Sequence, residues 1–274
     1  MKFSVITINR NNASGLEKTI RSVLQQNYKD FEYIIVDGAS TDGSVDVIKK
    51  NIASVSSESN PKVQWLSEAD TGIYNAMNKG IRMASGDYLL FLNSGDVYVD
   101  KFVLEKVVEQ WTDVDVMIGR INFISHEGVV YKDYQKKNDE MTLFSFLQSG
   151  IPHQAALIRR ALFEEYGFYD ESLTMASDWK FFLNTLILHD SSYSYISVTI
   201  SEFDNTGITS KRGKEMMEEI DISLRKSVPF RIYKDYRKLL DNNGEISRVK
   251  WLKKHPLFYK LYRFLVAIGR RTCK

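Results

Sequence analysis

The sequence predicts an α/β protein with a mainly parallel central sheet flanked by helices and a helical extension at its C-terminus. Three observations predict it. Short β-branched runs alternate with amphipathic segments through residues 3–92. The loops between them are short, which argues right-handed crossovers between parallel strands. Polar residues collect where the apolar runs end, and in sheets of this kind ligands bind at the carboxyl ends of the strands.

Each element follows from its residues. Phe3-Ser4-Val5-Ile6-Thr7-Ile8 reads as a buried strand. Ser14 with Glu17 reads as a capping box, opening a helix whose apolar face is Leu16, Ile20, Val23 and Leu24. Tyr33–Val36 is a second strand, ending at Asp37-Gly38, and Asp42-Gly43-Ser44 opens a second helix. Val63–Leu66 is a third strand, Ile73–Met83 a third helix and Tyr88–Leu92 a fourth strand, ending in Asn93-Ser94-Gly95-Asp96. Beyond Asp100 the pattern loosens. Helices are expected over Phe102–Trp111, from Arg160, and over Trp179–Leu188, with strands over Val114–Gly119, Gly128–Tyr131, Gln154–Ile158 and Tyr193–Ile200. Met141–Ile158 carries no charge but is broken by Gly150 and Pro152, so it reads as helix, loop and strand rather than a membrane span.

Composition bounds the function. The 274 residues suit one large α/β domain or two smaller ones. The single cysteine, Cys273, excludes an internal disulfide and any multi-cysteine metal site, and fits a reducing cytoplasm. The N-terminal apolar run turns polar at Asn9-Arg10-Asn11-Asn12, too early for a signal peptide, and no transmembrane helix is expected. Charge is uneven: Arg248–Lys274 holds nine basic residues and no acid, which leaves residues 1–247 at net −7. That acidic body argues against nucleic-acid binding. No P-loop, no G-x-G-x-x-G after the first strand, no H-E-x-x-H and no G-x-S-x-G is present.

What remains is a set of carboxylates at strand ends: Asp37, Asp70 and Asp96. Each alone reads equally as a helix cap or a turn. Three on one sheet edge point to a site. Asp96, in a Ser-Gly-Asp turn, suits a hard cation with oxygen ligands, and one carboxylate plus substrate oxygens is a workable set for magnesium or manganese.

At these positions the sequence resembles family 2 glycosyltransferases, enzymes with the nucleotide-sugar-binding GT-A fold. The resemblance runs through Ser4–Asn9, Ile35–Ser44, Ser67–Ile81 and Ala84–Asp87, and covers about residues 3–210. Asn93–Asp96 stands at the family's D-x-D position, and Pro152–Ala155 and Ala176–Trp179 resemble acceptor-side motifs. The resemblance implies a catalytic domain over 1–212, with a nucleotide-binding half over 1–100 and an acceptor half over 101–212, followed by an extension over 213–274. It places Thr7, Asn9 and Asp37 at the base and ribose, and Asp70 and Lys79 near the ribose and pyrophosphate. It places Asn93 with the donor, Asp96 on a divalent metal, His153 on the acceptor side and Asp178 as general base. Asn205–Arg212 resembles a loop that closes over the donor. Two departures stand out: Asn93 replaces the first acid of D-x-D, and Asn75 replaces an acid of its motif. No Trp follows an Arg, so the R-W pair of processive synthases is missing, which favours transfer of a single sugar.

The implied activity is inverting, Mg²⁺- or Mn²⁺-dependent transfer of one sugar from a nucleoside-diphosphate sugar, a UDP-sugar by expectation. The acceptor would be a hydroxyl of a saccharide or lipid-linked saccharide, as in polysaccharide and cell-envelope biosynthesis. Asp178 reads also as the N-cap of the helix through Trp179, and His153 also as a plain loop histidine. Two rival classes stay open: a sugar nucleotidyltransferase, which lacks its Gly- and Arg-rich loop here, and a non-catalytic nucleotide- or glycan-binding module, which Asn93 favours. The tail adds a further expectation. Leu257, Phe258, Leu261, Phe264, Leu265 and Ile268 line one helix face, surrounded by Lys253, Lys254, Lys260, Arg263, Arg270 and Arg271. Such a helix lies on an anionic leaflet, which would make the protein cytoplasmic and peripheral on the inner face of the membrane. Packing on the catalytic domain or in a homodimer accounts for the same stripe.

Overall fold

The computed structural model describes residues 3–53, 55, 61–124, 130–134, 140–204, 212–241, 254–256, 258–260 and 263. The chain divides into two compact units, Met1–Asp221 and Ile222–Lys274.

The first unit is built on nine described strands: β1 (Phe3–Asn9), β2 (Phe31–Asp37), β3 (Lys62–Ser67), β4 (Tyr88–Phe91), β5 (Val97–Tyr98), β6 (Val116–Ile124), β7 (Val130–Tyr134), β8 (Ala156–Arg159) and β9 (Tyr193–Asp204). Their order is β3-β2-β1-β4-β8-β6-β9-β5, with β7 paired to β6. The first four strands are parallel, as the alternating pattern predicts. The second half mixes directions: β6 and β9 pair parallel, while β8 runs antiparallel to both β4 and β6, β7 to β6 and β5 to β9. The sheet is therefore mixed but mainly parallel, as expected, since the parallel registers are the longer ones. The antiparallel return has a local reason. The chain reaches β8 through the turn at His153–Ala155, beside the carboxyl end of β4, so β8 can only run back down the sheet.

Helices α1 (Ala13–Leu24), α2 (Ser44–Ile52) and α3 (Ile73–Met83) connect the parallel strands, and α4 (Val103–Glu109) follows β5. Leu16, Ile20 and Val23 of α1 are fully buried with Phe3, Val5, Tyr33, Ile35 and Leu90, as their spacing predicts. The α1 cap differs from expectation. Asn12, not Ser14, is the N-cap, and its side chain accepts from the Gly15 N–H. Ser14 already lies inside the first turn, where a hydroxyl has no orphan donor of that kind to accept from.

On the amino edge of the sheet, buried Glu32 accepts from Ser4 Oγ, Ser85 N, Ser85 Oγ and Gly86 N. Those bonds fix the Ser85-Gly86 turn that feeds β4. In the second half come α5 (Leu143–Ser149), α6 (Ala161–Tyr166) and α7 (Ser177–Phe182). The expected Trp179–Leu188 helix begins two residues earlier, and from Leu183 to Leu188 it widens into π turns. Hydrophobic spacing over so short a stretch does not distinguish the two windings.

Helices α8 (Gly213–Ser227) and α9 (Phe230–Asp241) follow. Of the tail stripe, Lys254, Phe258, Lys260 and Arg263 are described, and Phe258 is exposed. The other stripe positions, and Asn205–Lys211 of the expected donor loop, lie outside the described residues. Among the described residues no helix is long and apolar enough to cross a membrane.

Candidate active site

The register of the parallel strands builds the first part of the site. Asn9, Asp37 and Ser67 are direct partners across β1, β2 and β3 at the carboxyl edge. Their side chains meet: Asn9 Nδ2 donates to Asp37 Oδ1 at 2.8 Å and Ser67 Oγ donates to Oδ2 at 2.7 Å. Ser40 adds its hydroxyl to Oδ1 and its backbone N–H to Oδ2. Burial works against the Asp37 charge, but these bonds hold its pKa below the ordinary carboxylate value. Asn9 Oδ1 is buried and has no hydrogen-bond partner among the described residues.

Asp70 closes over this corner. Its Oδ1 accepts from Arg10 Nη1 and Gly72 N. A Cβ on Gly38 would come within 2.1 Å of Asp70 Oδ2, so a side chain there would displace the Asp70 carboxylate. Lys79 turns to Glu68, 2.8 Å away, and to the Ala69 carbonyl. Thr7 lies elsewhere. It has no accessible surface, and its hydroxyl donates to the Leu92 carbonyl and accepts from Tyr33, tying β1 to β4. Its place in the fold is internal, away from any ligand surface.

The Asn93–Asp96 turn is clamped from behind by Thr19 of α1. Thr19 Oγ1 accepts from Gly95 N at 2.9 Å and donates to the Asp96 carbonyl at 2.8 Å, with Gly95 at φ +108°. Asp96 is buried, and its charge helps to raise the pKa of His153. Asn93 Oδ1 is a buried oxygen without a hydrogen-bond partner among the described residues. Among the described residues no group of three or more His, Cys, Asp or Glu side chains is arranged to hold a metal. One carboxylate and one free amide oxygen fit a hard cation that takes its other ligands from phosphate and water.

The acceptor side meets this turn through one histidine. Because β8 pairs antiparallel with β4, the turn at His153 sits beside the carboxyl end of β4. There His153 Nε2 lies 3.2 Å from Asn93 Nδ2. Its Nδ1 lies 2.8 Å from Asp178 Oδ2, with the two side chains 15% and 16% exposed. With Asp178 ionised, Nδ1 donates, so the neutral ring accepts the Asn93 amide at Nε2. The other Asp178 oxygen accepts the Tyr74 hydroxyl at 2.8 Å. Burial pushes the Asp178 carboxyl up, but His153 and Tyr74 outweigh it and leave the pKa below the usual value. Burial also works to lower His153, and Asp178 raises it overall. Burial and the Asp178 charge push the Tyr74 phenol far up, so it remains a donor. The Trp179 backbone N–H is a third donor to this carboxylate, which leaves one lone pair of its four to accept a proton from an incoming hydroxyl.

Asp178 is not the N-cap its sequence position suggested. The cap is Ala176, which has no side-chain acceptor, and Asp178 sits in the first turn of α7. Asn75, which replaces an acid, instead donates to Glu171 Oε2, and Asn78 donates to Glu171 Oε1. Tyr74 and Thr19 escaped sequence reasoning. Tyr74 stands inside the Ser67–Ile81 motif, but only the packing of α3 against α7 gives it a partner. Thr19 carries no sequence signal beyond an ordinary helix position.

The comparisons agree with this architecture. The family model described as "Glycosyl transferase family 2" matches residues 4–167. An uncharacterized glycosyltransferase of Mycobacterium tuberculosis is 34% identical over 212 residues, covering 76% of this chain and 77% of its own. The fold resembles Staphylococcus aureus TarS 1-349 in complex with UDP-GlcNAc, with TM-score 0.62, 21% identity, and 86% and 70% of the two chains covered. It also resembles the mannosyltransferase PcManGT of Pyrobaculum calidifontis in complex with GDP-Man and Mn²⁺, with TM-score 0.64, 14% identity, and 97% and 80% covered. The nucleotidyltransferase and the non-catalytic module drop out as readings. A GT-A-like sheet with its polar cluster at the carboxyl edge, a family model spanning more than half of the chain and a relative aligned over three quarters of it lead to one conclusion: this chain belongs to glycosyltransferase family 2 and is a glycosyltransferase.

Proposed function

We propose that the protein transfers a single sugar from a nucleoside-diphosphate sugar to a hydroxyl of a saccharide or lipid-linked saccharide, with inversion at the anomeric carbon. The observation that carries this reading is the Asp178 carboxylate: held at both oxygens by Tyr74 and His153, and connected through His153 to the Asn93–Asp96 turn. A sugar hydroxyl is a poor nucleophile at neutral pH. Asp178 takes its proton as the new C–O bond forms, and the nucleoside diphosphate departs with the electrons of the broken anomeric C–O bond. Opposed entry and departure at that carbon give inversion.

Asn9, Asp70 and Lys79 form the donor side of this reading, with Asp37 organising the strand ends behind them. The UDP-GlcNAc complex of TarS supports a UDP-sugar as the donor. Asp96 and Asn93 Oδ1 would hold a magnesium or manganese ion, which when bound supplies neutralisation of the diphosphate charge. His153 keeps Asp178 oriented, and Tyr74 holds its second oxygen. The basic tail would hold the enzyme at an anionic leaflet, near a lipid-linked acceptor, with each cation there worth about 1 kcal/mol.

The deciding measurement uses wild type and Asp178→Asn with a panel of nucleotide sugars. The variant should bind nucleotide normally and lose transfer by about 10²–10⁴-fold. Wild-type turnover by the variant, or a product that retains the donor's anomeric configuration by NMR, overturns the reading. For the tail, full-length protein should pellet with anionic vesicles and be released by salt. A chain ending at Ile246 should stay in the supernatant and still bind nucleotide, and a full-length chain that ignores the vesicles refutes the anchor.

A further inference from the structure

Asp178 is fixed through its side chain by Tyr74 and His153. It is also fixed through its backbone, from a distant part of the chain. The helix that carries it, α7, starts at an alanine N-cap with no side-chain acceptor, and the backbone N–H groups of Thr174, Met175 and Ala176 lie at its approach. Those donors go to one side chain. Glu219, on α8, takes Thr174 N at 3.0 Å and Thr174 Oγ1 at 2.5 Å on Oε1. On Oε2 it takes Met175 N at 2.9 Å and Ala176 N at 3.1 Å. Four donors converge on one half-buried carboxylate, and the last of them belongs to the residue two before Asp178.

The neighbouring contacts show why this matters for the site. Ser177 Oγ accepts the Asp170 N–H at 2.5 Å, and Lys180 Nζ reaches Asp170 Oδ2 at 2.6 Å. Asp170 in turn accepts from Ser172. These bonds tie the first turn of α7 to the loop before it at positions 170 and 172, and none of them restrains residues 174–176. Among the described residues, the side chain that hydrogen-bonds to residues 174–176 is Glu219. A shift of the stretch moves the first turn of α7, and the Asp178 carboxylate moves with it.

We propose that Glu219 is a positioning residue for the transfer reaction: its carboxylate sets the start of α7 and so the place of the Asp178 carboxylate beside the acceptor. This inference rests on the reading of Asp178 as the base. The isosteric Glu219→Gln is the sharpest probe. Its carboxamide keeps one acceptor oxygen and turns N–H groups toward two of the four donors, so residues 174–176 must rearrange. A misplacement of about 1 Å at a reacting group can cost on the order of 100-fold.

The test measures kcat, the donor KM, UDP affinity by calorimetry and the melting temperature in full-length protein. For Glu219→Gln, kcat should fall about 10- to 100-fold, while donor KM, UDP affinity and melting temperature stay near wild type. Thr174→Val removes only the hydroxyl donor and should lower kcat a few-fold with the same pattern, which keeps the proposal testable even where Glu219→Gln fails to fold. Unchanged kcat in either folded variant overturns the proposal. So does a parallel loss of kcat, UDP affinity and melting temperature, which marks general loosening. Asp178→Asn separates the two claims. If it retains turnover, the base assignment has failed; if it is inactive while Glu219→Gln is fully active, only the positioning role has failed.

Discussion

Asp37 and Asp178 stand at the same carboxyl edge of one sheet and share a lowered pKa, yet they are held in different ways. Asp37 has no accessible surface and accepts four hydrogen bonds from Asn9, Ser40 and Ser67, none of which titrates near neutral pH. Asp178 keeps some exposure, and its side-chain partners are a phenol and a histidine. The first carboxylate is saturated, which suits an organiser of the strand ends. The second has acceptor capacity left and a partner whose charge depends on pH, which suits a base. Lowered pKa alone does not separate the two; the remaining lone pair and the chemistry of the partner do.

The largest expected effect sets the two against each other. Asp178→Asn should cost transfer by orders of magnitude with little change in melting temperature. Asp37→Asn should do the reverse in kind. Its amide nitrogen would face donors of Ser40 or Ser67, and each buried donor left unpaired costs about 1–3 kcal/mol, so thermal unfolding should shift by several degrees. If Asp37→Asn melts like wild type and only loses transfer, the contrast between organiser and base collapses.

The next effect concerns the titrating partner. The raised His153 pKa stabilises the fold fully below the ordinary histidine value and loses that contribution as pH rises through the folded value. The lowered Asp178 pKa stabilises above the ordinary carboxylate value and loses it as pH falls. The pair therefore contributes most between 3.8 and 6.5, the two ordinary values. His153→Asn should lose stability relative to wild type mainly in that window, as melting curves at stepped pH would record. Activity should move too. An imidazolium makes Asp178 a weaker base, so kcat/KM for the acceptor should rise as His153 deprotonates, with a limb above the ordinary histidine value. A His153→Asn profile with the same limb would remove His153 from this role.

The smallest effect lies on the donor side. Gly38→Ala places a methyl against the end of the Asp70 side chain. That carboxylate can swing aside at the expense of its Arg10 and Gly72 contacts. A few-fold loss of UDP affinity with transfer per bound donor preserved is expected by calorimetry and single-turnover assay. A loss of transfer with full UDP affinity would instead connect Asp70 to the acceptor side.

The halves of the molecule were unequally legible. In residues 3–92 each strand is a compact apolar run and each helix a spaced stripe, so pattern and structure agree: Ile73–Met83 falls where its spacing puts it. Parallel pairing then follows from the short crossovers, and the register brings Asn9, Asp37 and Ser67 together. The positions of Asp37, Asp70 and Asp96 could be read as special because polar residues at strand ends stand out against apolar runs, whereas His153 and Asp178 were legible only through the family resemblance. Their partners could not be read. Periodicity carries no information on which edge a later strand joins, so the antiparallel return of β8, and with it the meeting of His153 and Asn93, was invisible.

The sequence by itself determined the class of the fold, the parallel first half with its carboxylates at one edge, and the family, because these depend on local periodicity and on ordered motifs. Tertiary structure alone decided that the sheet is mixed, that Thr7 is internal, that Asp178 sits behind an alanine cap, and that Tyr74, His153 and Glu219 hold it. Glu219 bonds residues 43–45 positions away. Contacts of that separation form only once the sheet has fixed where each element ends, and no pattern within one segment encodes them.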